Sequence, residues 1–529
     1  MTSAHTDPAH LPQSYGSRAA LLIADVDGDP WGSVRPSLYE TARVLSFAPW
    51  LSGHERRLAW LRQQQHPDGS WGEGPAPYRL LPTLSVVEAL LSALRFDTAP
   101  GAGRERLAAA TAAGLAALRN LPPTGPWPDT AAIEILVPSL VAQINEHLDQ
   151  QEFGALPPLG PWSRGFRLPL PNGFRHTLPD QIAQRCRSAG SVPEKLHHTY
   201  EGIARLPHAE VALPGGLFGS SPAATAAWVA AAPGSVAGRD QAVTELTAVA
   251  RRYDGLFPEA APISVFERLW VAAALAGPGL PHTCRATVRS WAGQIYDPAG
   301  VRGAPGLMPD ADDTAMAVLV AALAGEPRDP APLSAFETGT NYDCYVGEDT
   351  GSATANAHAL QALGAYLRFQ PAAAVVHRPR MNLVRDWLLA QQQPEGAWPD
   401  KWHASPYYAT SRCVTALARE GHPRTRDAIR SAADWVLETQ RNDGSWGIWD
   451  GTAEETAYAV NILLRADDLI RQPHSTDALD RAETALLAAS HTPGHRHPAL
   501  WHDKTLYAPE AMVQAEVTAA LELLRTRHR

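Results

Sequence analysis

Cysteine is scarce: four residues in 529, at positions 186, 284, 344 and 413, with no Cys-x-x-Cys pair. That argues against a disulfide scaffold or a thiolate zinc site and fits a reducing compartment, so a cytoplasmic location is expected. Long apolar runs are also lacking. No stretch reaches the roughly 18 uninterrupted apolar residues of a membrane span, and the opening MTSAHTDPAHLPQSYG has no signal-peptide core. Positive charge is not in excess either. Lys plus Arg is 45 against 55 for Asp plus Glu, a net charge of −10. The chain therefore has no general attraction for nucleic acid or an anionic membrane, and an anionic substrate would need a local basic pocket. β-branched alternation is scarce, which excludes a large sheet.

What is present reads as helix. Apolar residues make up 45%, ample for a core, and recur at helical spacing. SVVEALLSALRF places Val87, Leu90, Leu91 and Leu94 on one face; EVTAALELLR does the same with Val517, Leu521 and Leu524. Gly and Pro cluster between such stretches, as in many short helices joined by turns. QHPDGSWG (65–72), QQPEGAW (392–398) and QRNDGSWG (440–447) share Gln-x-x-x-Gly-x-Trp, each after a helix. Gln can satisfy backbone groups at the helix end, Gly makes the turn and Trp packs over it. Weaker copies are GGLFGSSPAATAA (215–227) and GLMPDADDTAMAVLVAAL (306–323). Repeated helical hairpins of this kind close into rings, so the expected fold is all-α with one or two α/α barrels. An open solenoid is the alternative.

The sharpest chemical feature is Asp310-Ala311-Asp312-Asp313-Thr314 at the head of an apolar helix. Three readings are open. Asp310 as N-cap with Asp313 three residues on makes a capping arrangement. Clustered carboxylates can hold Mg²⁺. Crowded carboxyls cannot all ionise cheaply, so one keeps a proton and can act as a Brønsted acid.

Asp-x-Asp-Asp followed by Thr-Ala-Met, together with the Gln–Trp repeats, resembles the class II terpene cyclases, in particular bacterial copalyl and drimenyl diphosphate synthases. Most of the chain takes part: SLYETARVLSFAPWL (37–51), YRLLPTLSVVEAL (78–90), IEILVPSL (133–140), LHHTYEG (196–202), DKWHASPYYAT (400–410) and LWHDKTLYAP (500–509) are similar to family segments in family order. The resemblance implies two α/α-barrel domains, γ inserted into β. Residues 1–50 would form an N-terminal segment packing with β, 51–278 the γ domain and 279–529 the β domain, with the cavity between them. It implies protonation-initiated bicyclisation of a linear prenyl diphosphate, geranylgeranyl diphosphate first and farnesyl diphosphate second, with the diphosphate retained.

By resemblance, Asp312 is the general acid, tuned by Asp310 and Asp313. His198 aligns with the histidine of a terminating His–Asn pair, whose partner falls at Glu259. Arg79, Arg175, Lys401 and Lys504 form the pool for the diphosphate, and Glu134 and Glu146 the pool for Mg²⁺. Trp228, Trp270, Tyr342 and Tyr345 are the expected cation-stabilising aromatics. The metal motifs that ionise a diphosphate are missing; Asp467-Asp468 has no third acid in place. The product would then pass to a class I synthase or a phosphatase, and a homodimer is compatible with the family. Two rival readings stay open. Asp25-Val-Asp27-Gly after an apolar run resembles the first motif of haloacid-dehalogenase-type phosphatases, with Asp25 as nucleophile. A non-enzymatic helical-repeat binding protein would explain the repeats alone.

Overall fold

Short amphipathic helices alternate with helices that are apolar all round, and the two kinds occupy different layers. In the computed structural model, the described residues are 14–96, 102–121, 125–149, 153, 156–162, 165–203, 217–231, 237–470, 475–490 and 496–527. Most of the polar opening segment and residues 215–216 of one weak repeat lie outside them.

Among the described residues, two rings of inner helices close on themselves. The first runs Leu38–Phe47, Ala76–Phe96, Ile133–Leu148, the 3-10 turn Tyr200–Ile203 and Pro222–Ala231, which packs back on Leu38–Phe47. The second runs Ser264–Leu275, Ala311–Leu323, Ala353–Phe369, Pro406–Glu420, Ala453–Ile470 and Glu510–Thr526, which returns to Ser264–Leu275. Closure of both rings excludes the open solenoid. Outer helices cover each ring, and three apolar cores fill the structure, one in the second ring and two in the first. The helix Tyr15–Gly28 packs on Glu510–Thr526 and Ser264–Leu275, so the described chain starts on the second ring before building the first. Asp25 is exposed on this helix. The strand that a phosphatase nucleophile requires is therefore a helix, and that reading falls. The only strands described are Trp501–His502 and Leu506–Tyr507, an antiparallel hairpin pairing Trp501 with Tyr507.

The Gln–Trp repeats act as identical joints. In each, the Gln amide donates to the turn glycine carbonyl, at 3.0 Å for Gly69, 2.7 Å for Gly396 and 3.0 Å for Gly444. It also donates to the next outer helix, at Ala110, Ala428 and Ala478. The Trp ring nitrogen reaches back to the preceding helix at Leu61, Leu388 and Val436. The Trp backbone N–H donates to a threonine hydroxyl in the following inner helix, Thr83, Thr410 or Thr456. One joint thus ties four segments and leaves no buried polar group of its own unmet.

Glycine is required in the turn. Gly396 has φ +107°, and a Cβ there would lie 2.3 Å from the Ser431 carbonyl. Gly396→Ala is expected to cost about 1–3 kcal/mol from backbone strain, with the clash added, read as a lowered midpoint in thermal denaturation. An unchanged midpoint would show that the joint is not structural.

Candidate active site

A cavity of about 460 Å³ opens between the two rings, within the range of sites that enclose small-molecule ligands. Ile135, Leu196 and His198 come from the first ring; Phe266, Trp270 and Tyr408 come from the second, and the Trp501–Tyr507 hairpin closes one side. Asp310, Asp312 and Asp313 all reach it.

The acid cluster is built by the same device as the repeats. Val301 N–H donates to Thr314 Oγ1 at 2.9 Å, pinning the preceding turn to the helix Ala311–Leu323. Asp310 is the N-cap, its Oδ1 accepting the Asp313 N–H at 2.7 Å. The capping reading is therefore correct, and it is compatible with acid chemistry. Gly303 lies against Asp313, where a Cβ would meet Oδ2 at 2.6 Å, and Asp313 Oδ1 is buried without a hydrogen-bond partner. Burial, then the charges of Asp310 and Asp312, pushes the Asp313 carboxyl well above the usual range. Burial likewise raises Asp310 to about 7, against the hydrogen bonds it accepts from Asp313. The cluster therefore retains protons at neutral pH.

Asp312 is 9% exposed and faces the cavity. Its Oδ1 lies 2.6 Å from Nδ1 of His358, itself buried in the helix Ala353–Phe369. Carrying its hydrogen on Nδ1, the imidazole donates to Asp312 and stabilises the carboxylate left behind when the proton departs. Trp270 stands edge-on to His358 at 5.4 Å. Sequence reading missed His358. The available signal was a histidine in an otherwise Ala- and Leu-rich helix, a residue type that needs a partner when buried.

The other expected site residues separate. His198 lines the cavity, but its partner is Asp503: Nε2 lies 2.9 Å from Asp503 Oδ1, while Nδ1 meets the Gly219 carbonyl at 2.7 Å. Burial opposes the charged ring, but the Asp503 carboxylate prevails and the His198 pKa is raised. Glu259 is buried behind the hairpin, accepting from the Thr505 N–H at 2.6 Å and its hydroxyl at 2.8 Å. Burial first, then Asp503, raises Glu259 to about 7. Lys504 is fully buried, its ammonium on Glu40 at 2.7 Å, Glu201 at 2.8 Å and Ser221 at 2.7 Å. All three donors are engaged, so none is left for a diphosphate.

Arg79 folds onto the first repeat turn, donating to Gly74 and pairing with Asp68, and Arg175 is exposed; neither lines the cavity. Lys401 pairs at 2.7 Å with Glu348, which does line it. Lys195, unnoticed in the sequence, is exposed at the cavity wall. Of the aromatics, Trp270 and Tyr345 line the cavity. Trp228 stacks on Phe218 inside the first ring, and Tyr342 lies in the second-ring core under Arg380. The structure adds Phe266, Trp402, Tyr408, Trp501 and Tyr507. Glu134 is at the cavity; Glu146 is exposed elsewhere.

Residues 342–461 match the squalene-hopene cyclase C-terminal domain family. Over 98% of its length the chain is 69% identical to a copalyl diphosphate synthase of Streptomyces cyslabdanicus, covering 97% of that protein. It is 48% identical over 99% of its length to a labda-7,13-dienyl diphosphate synthase of Streptomyces clavuligerus, covering 95% of it. The ent-copalyl diphosphate synthase structure from Streptomyces platensis superposes with a TM-score of 0.88 at 42% identity, over 97% of this chain and all of that one. The chain belongs to the bacterial class II diterpene cyclases.

Such cyclases are driven by protonation, and in this chain a buried carboxyl cluster faces an aromatic cavity. Buried carboxyls in and beyond this cluster make the fold sensitive to pH. Asp310, Glu259 and Glu267 have folded pKa values near 7, above their ordinary carboxylate values, burial being the first cause in each. The folded state therefore holds protons that the unfolded chain releases, so this stability is complete below about pH 4 and is lost as pH rises through 7. Thermal midpoints should fall between pH 5 and 8, and Asp310→Asn, which still caps the helix, should flatten part of that slope. A midpoint that climbs across this window would contradict the assignment.

Proposed function

We propose that this cyclase converts geranylgeranyl diphosphate to a bicyclic copalyl- or labdane-type diphosphate. The observation that carries the reading is Asp312, buried at the wall of an aromatic cavity with His358 on its Oδ1. Asp312 delivers a proton to the terminal alkene, two rings close, and a final deprotonation leaves the diphosphate in place. Asp310 and Asp313 keep the cluster protonated. Trp270, Tyr345 and the added aromatics present π faces to the cation. The C20 substrate is favoured over farnesyl diphosphate because the chain is a diterpene cyclase and its relatives are named for copalyl and labdadienyl diphosphates.

Lys195 at the cavity wall, with Lys401 beside Glu348, is our choice for the diphosphate end. Among the described residues no three His, Cys, Asp or Glu side chains gather as a metal cage. A Mg²⁺ carried by the diphosphate needs only one or two protein carboxylates, and Glu134 is placed to serve. Such a cation would neutralise the head group and dock it. For the domain division, the packing supports an N-terminal segment on the β domain through Tyr15–Gly28, with the γ domain starting near Leu38 and the β domain near Ser264. The intact diphosphate on the product calls for a consuming reaction that ionises or hydrolyses it.

The test is incubation of wild type and Asp312→Asn with geranylgeranyl and farnesyl diphosphates plus Mg²⁺, followed by phosphatase treatment and identification of the alcohols. Wild type should give a bicyclic C20 alcohol and release no pyrophosphate. The folded variant should lose more than the roughly 10²–10⁴-fold usual for a general acid, since a dry cavity offers no substitute. Stoichiometric pyrophosphate, or near-normal turnover by the variant, would refute the reading.

A further inference from the structure

A cyclisation begun by a proton and ended by an alkene is proton-neutral. The Asp312 O–H bond breaks as the substrate π bond forms a new C–H bond. At the end a C–H bond beside the cation breaks, and its electron pair becomes the product double bond. Two ring closures carry the cation away from the alkene that Asp312 protonates, so the last hydrogen calls for an acceptor at another place in the cavity.

The carboxylates and imidazoles that reach the cavity can be sorted by what already occupies them. Asp310 and Asp313 belong to the acid cluster. Glu348 is paired with Lys401 and accepts the Cys344 N–H. Glu194 pairs with Arg302, and Glu134 is exposed at the end we give to the diphosphate. His502 is held between the Lys401 carbonyl and the Tyr78 hydroxyl. What remains is His198 with Asp503.

Elementary hydrogen-bond chemistry divides that pair. A carbonyl oxygen can only accept, so Nδ1 of His198 carries a hydrogen toward Gly219. Nε2 is occupied by Asp503. Neither ring nitrogen presents a lone pair to the cavity. Asp503 keeps 17% of its side chain exposed while His198 holds one of its oxygens. Its backbone is pinned on both sides, the carbonyl accepting the Ala131 N–H at 3.0 Å and the N–H donating to Thr505 at 3.1 Å.

Building on the cyclase reading, we propose that the carboxylate of Asp503 takes the final proton, with His198 as its positioning residue. Asp503 is a weak base, depressed in spite of burial by His198 and Lys504, but a carbocation with an adjacent C–H needs no strong one. The proton it gains rests on the Asp503 oxygen that His198 does not hold and leaves to water once the product departs. Because the acceptor sits on a rigid hairpin, it selects which hydrogen is removed and so fixes the double-bond position.

The experiment compares product profiles of wild type, Asp503→Asn, Asp503→Glu and His198→Asn with geranylgeranyl diphosphate, with substrate consumption measured alongside. For Asp503→Asn, consumption should fall less than tenfold while the share of the wild-type alkene falls at least tenfold, replaced by isomeric or water-captured bicycles. Asp503→Glu keeps the charge beside Lys504 and should also shift the profile, so it decides the matter if the Asn variant does not fold. His198→Asn leaves the carboxylate in place and should retain the wild-type alkene as the main product. An unchanged profile in the Asp503 variants overturns the proposal. So does a His198→Asn shift as large as that of Asp503→Asn, which would make the imidazole the base, or complete loss of consumption in a folded Asp503 variant, which would place it in substrate binding. Failure of the wild type to cyclise any prenyl diphosphate would remove the parent reading as well.

Discussion

One buried ammonium holds the two rings in register. Lys504 stands at the tip of the second-ring hairpin, and its three hydrogen bonds end on Glu40, Glu201 and Ser221, all from the first ring. Desolvating such a group is costly, and the arrangement is tolerable only because every donor is met. Burial raises Glu40 to about 8 against the pull of Lys504, so the pocket need not hold two full negative charges. Removing the ammonium alone would leave carboxylates buried without a counter-charge, the situation that typically costs 3–5 kcal/mol. The neighbours of Lys504 inherit its fixed position. Asp503 is thereby delivered to His198, Thr505 to Glu259, and His502 to Tyr78. The cavity exists because this hairpin is clamped at its edge.

The acid end depends on a different economy of parts. The threonine that receives a backbone N–H in each Gln–Trp joint has a counterpart in Thr314, which receives the Val301 N–H ahead of the acid helix. The helix bearing Asp310, Asp312 and Asp313 is thus seated like the structural repeats, with its N-terminal turn at the cavity. Asp310 answers the orphan N–H of Asp313, as any helix start requires. That structural duty places three carboxyls together, and burial, with the charges of their neighbours, holds protons on Asp310 and Asp313. Fold and chemistry use the same residues.

How much of this the sequence disclosed follows from distance along the chain. The repeats, the all-helical rings and the acid motif are local patterns of a few residues, and each was legible. The acid motif stood out because its three carboxyls are neighbours in sequence, and the family resemblance then pointed to Asp312. His358 lies 46 residues away and Asp503 lies 305 residues from His198, and no local periodicity encodes such a pairing. Glu259 was expected beside His198, and the structure sets Asp503 there. Lys504 was expected on a diphosphate because Lys and Arg are the natural partners of an anionic head group; only the fold shows three acceptors waiting for it. Trp228 and Tyr342 illustrate the converse, since large aromatics fill cores far more often than they line sites. Lys195 carried no local signal and gained its place from ring closure.

The aromatic lining completes the logic of the two proton sites. A cation held for several bond-forming steps must meet π faces and avoid nucleophilic edges. The polar edges of two lining rings are taken up by protein partners. Trp270 Nε1 donates to the Tyr408 hydroxyl at 2.8 Å, and Trp501 Nε1 donates to Glu454 at 2.7 Å. Glu454 also receives the Tyr458 hydroxyl and lies 3.3 Å from His403, so its carboxyl is held behind the rings. Trp270 in turn abuts His358 and Phe266, which ties the aromatic wall to the imidazole behind the acid. Orientation of these side chains by hydrogen bonds outside the cavity leaves their faces for the substrate. In the proposed mechanism the acid acts at one place, a base at another, and the surface between them offers attraction without capture.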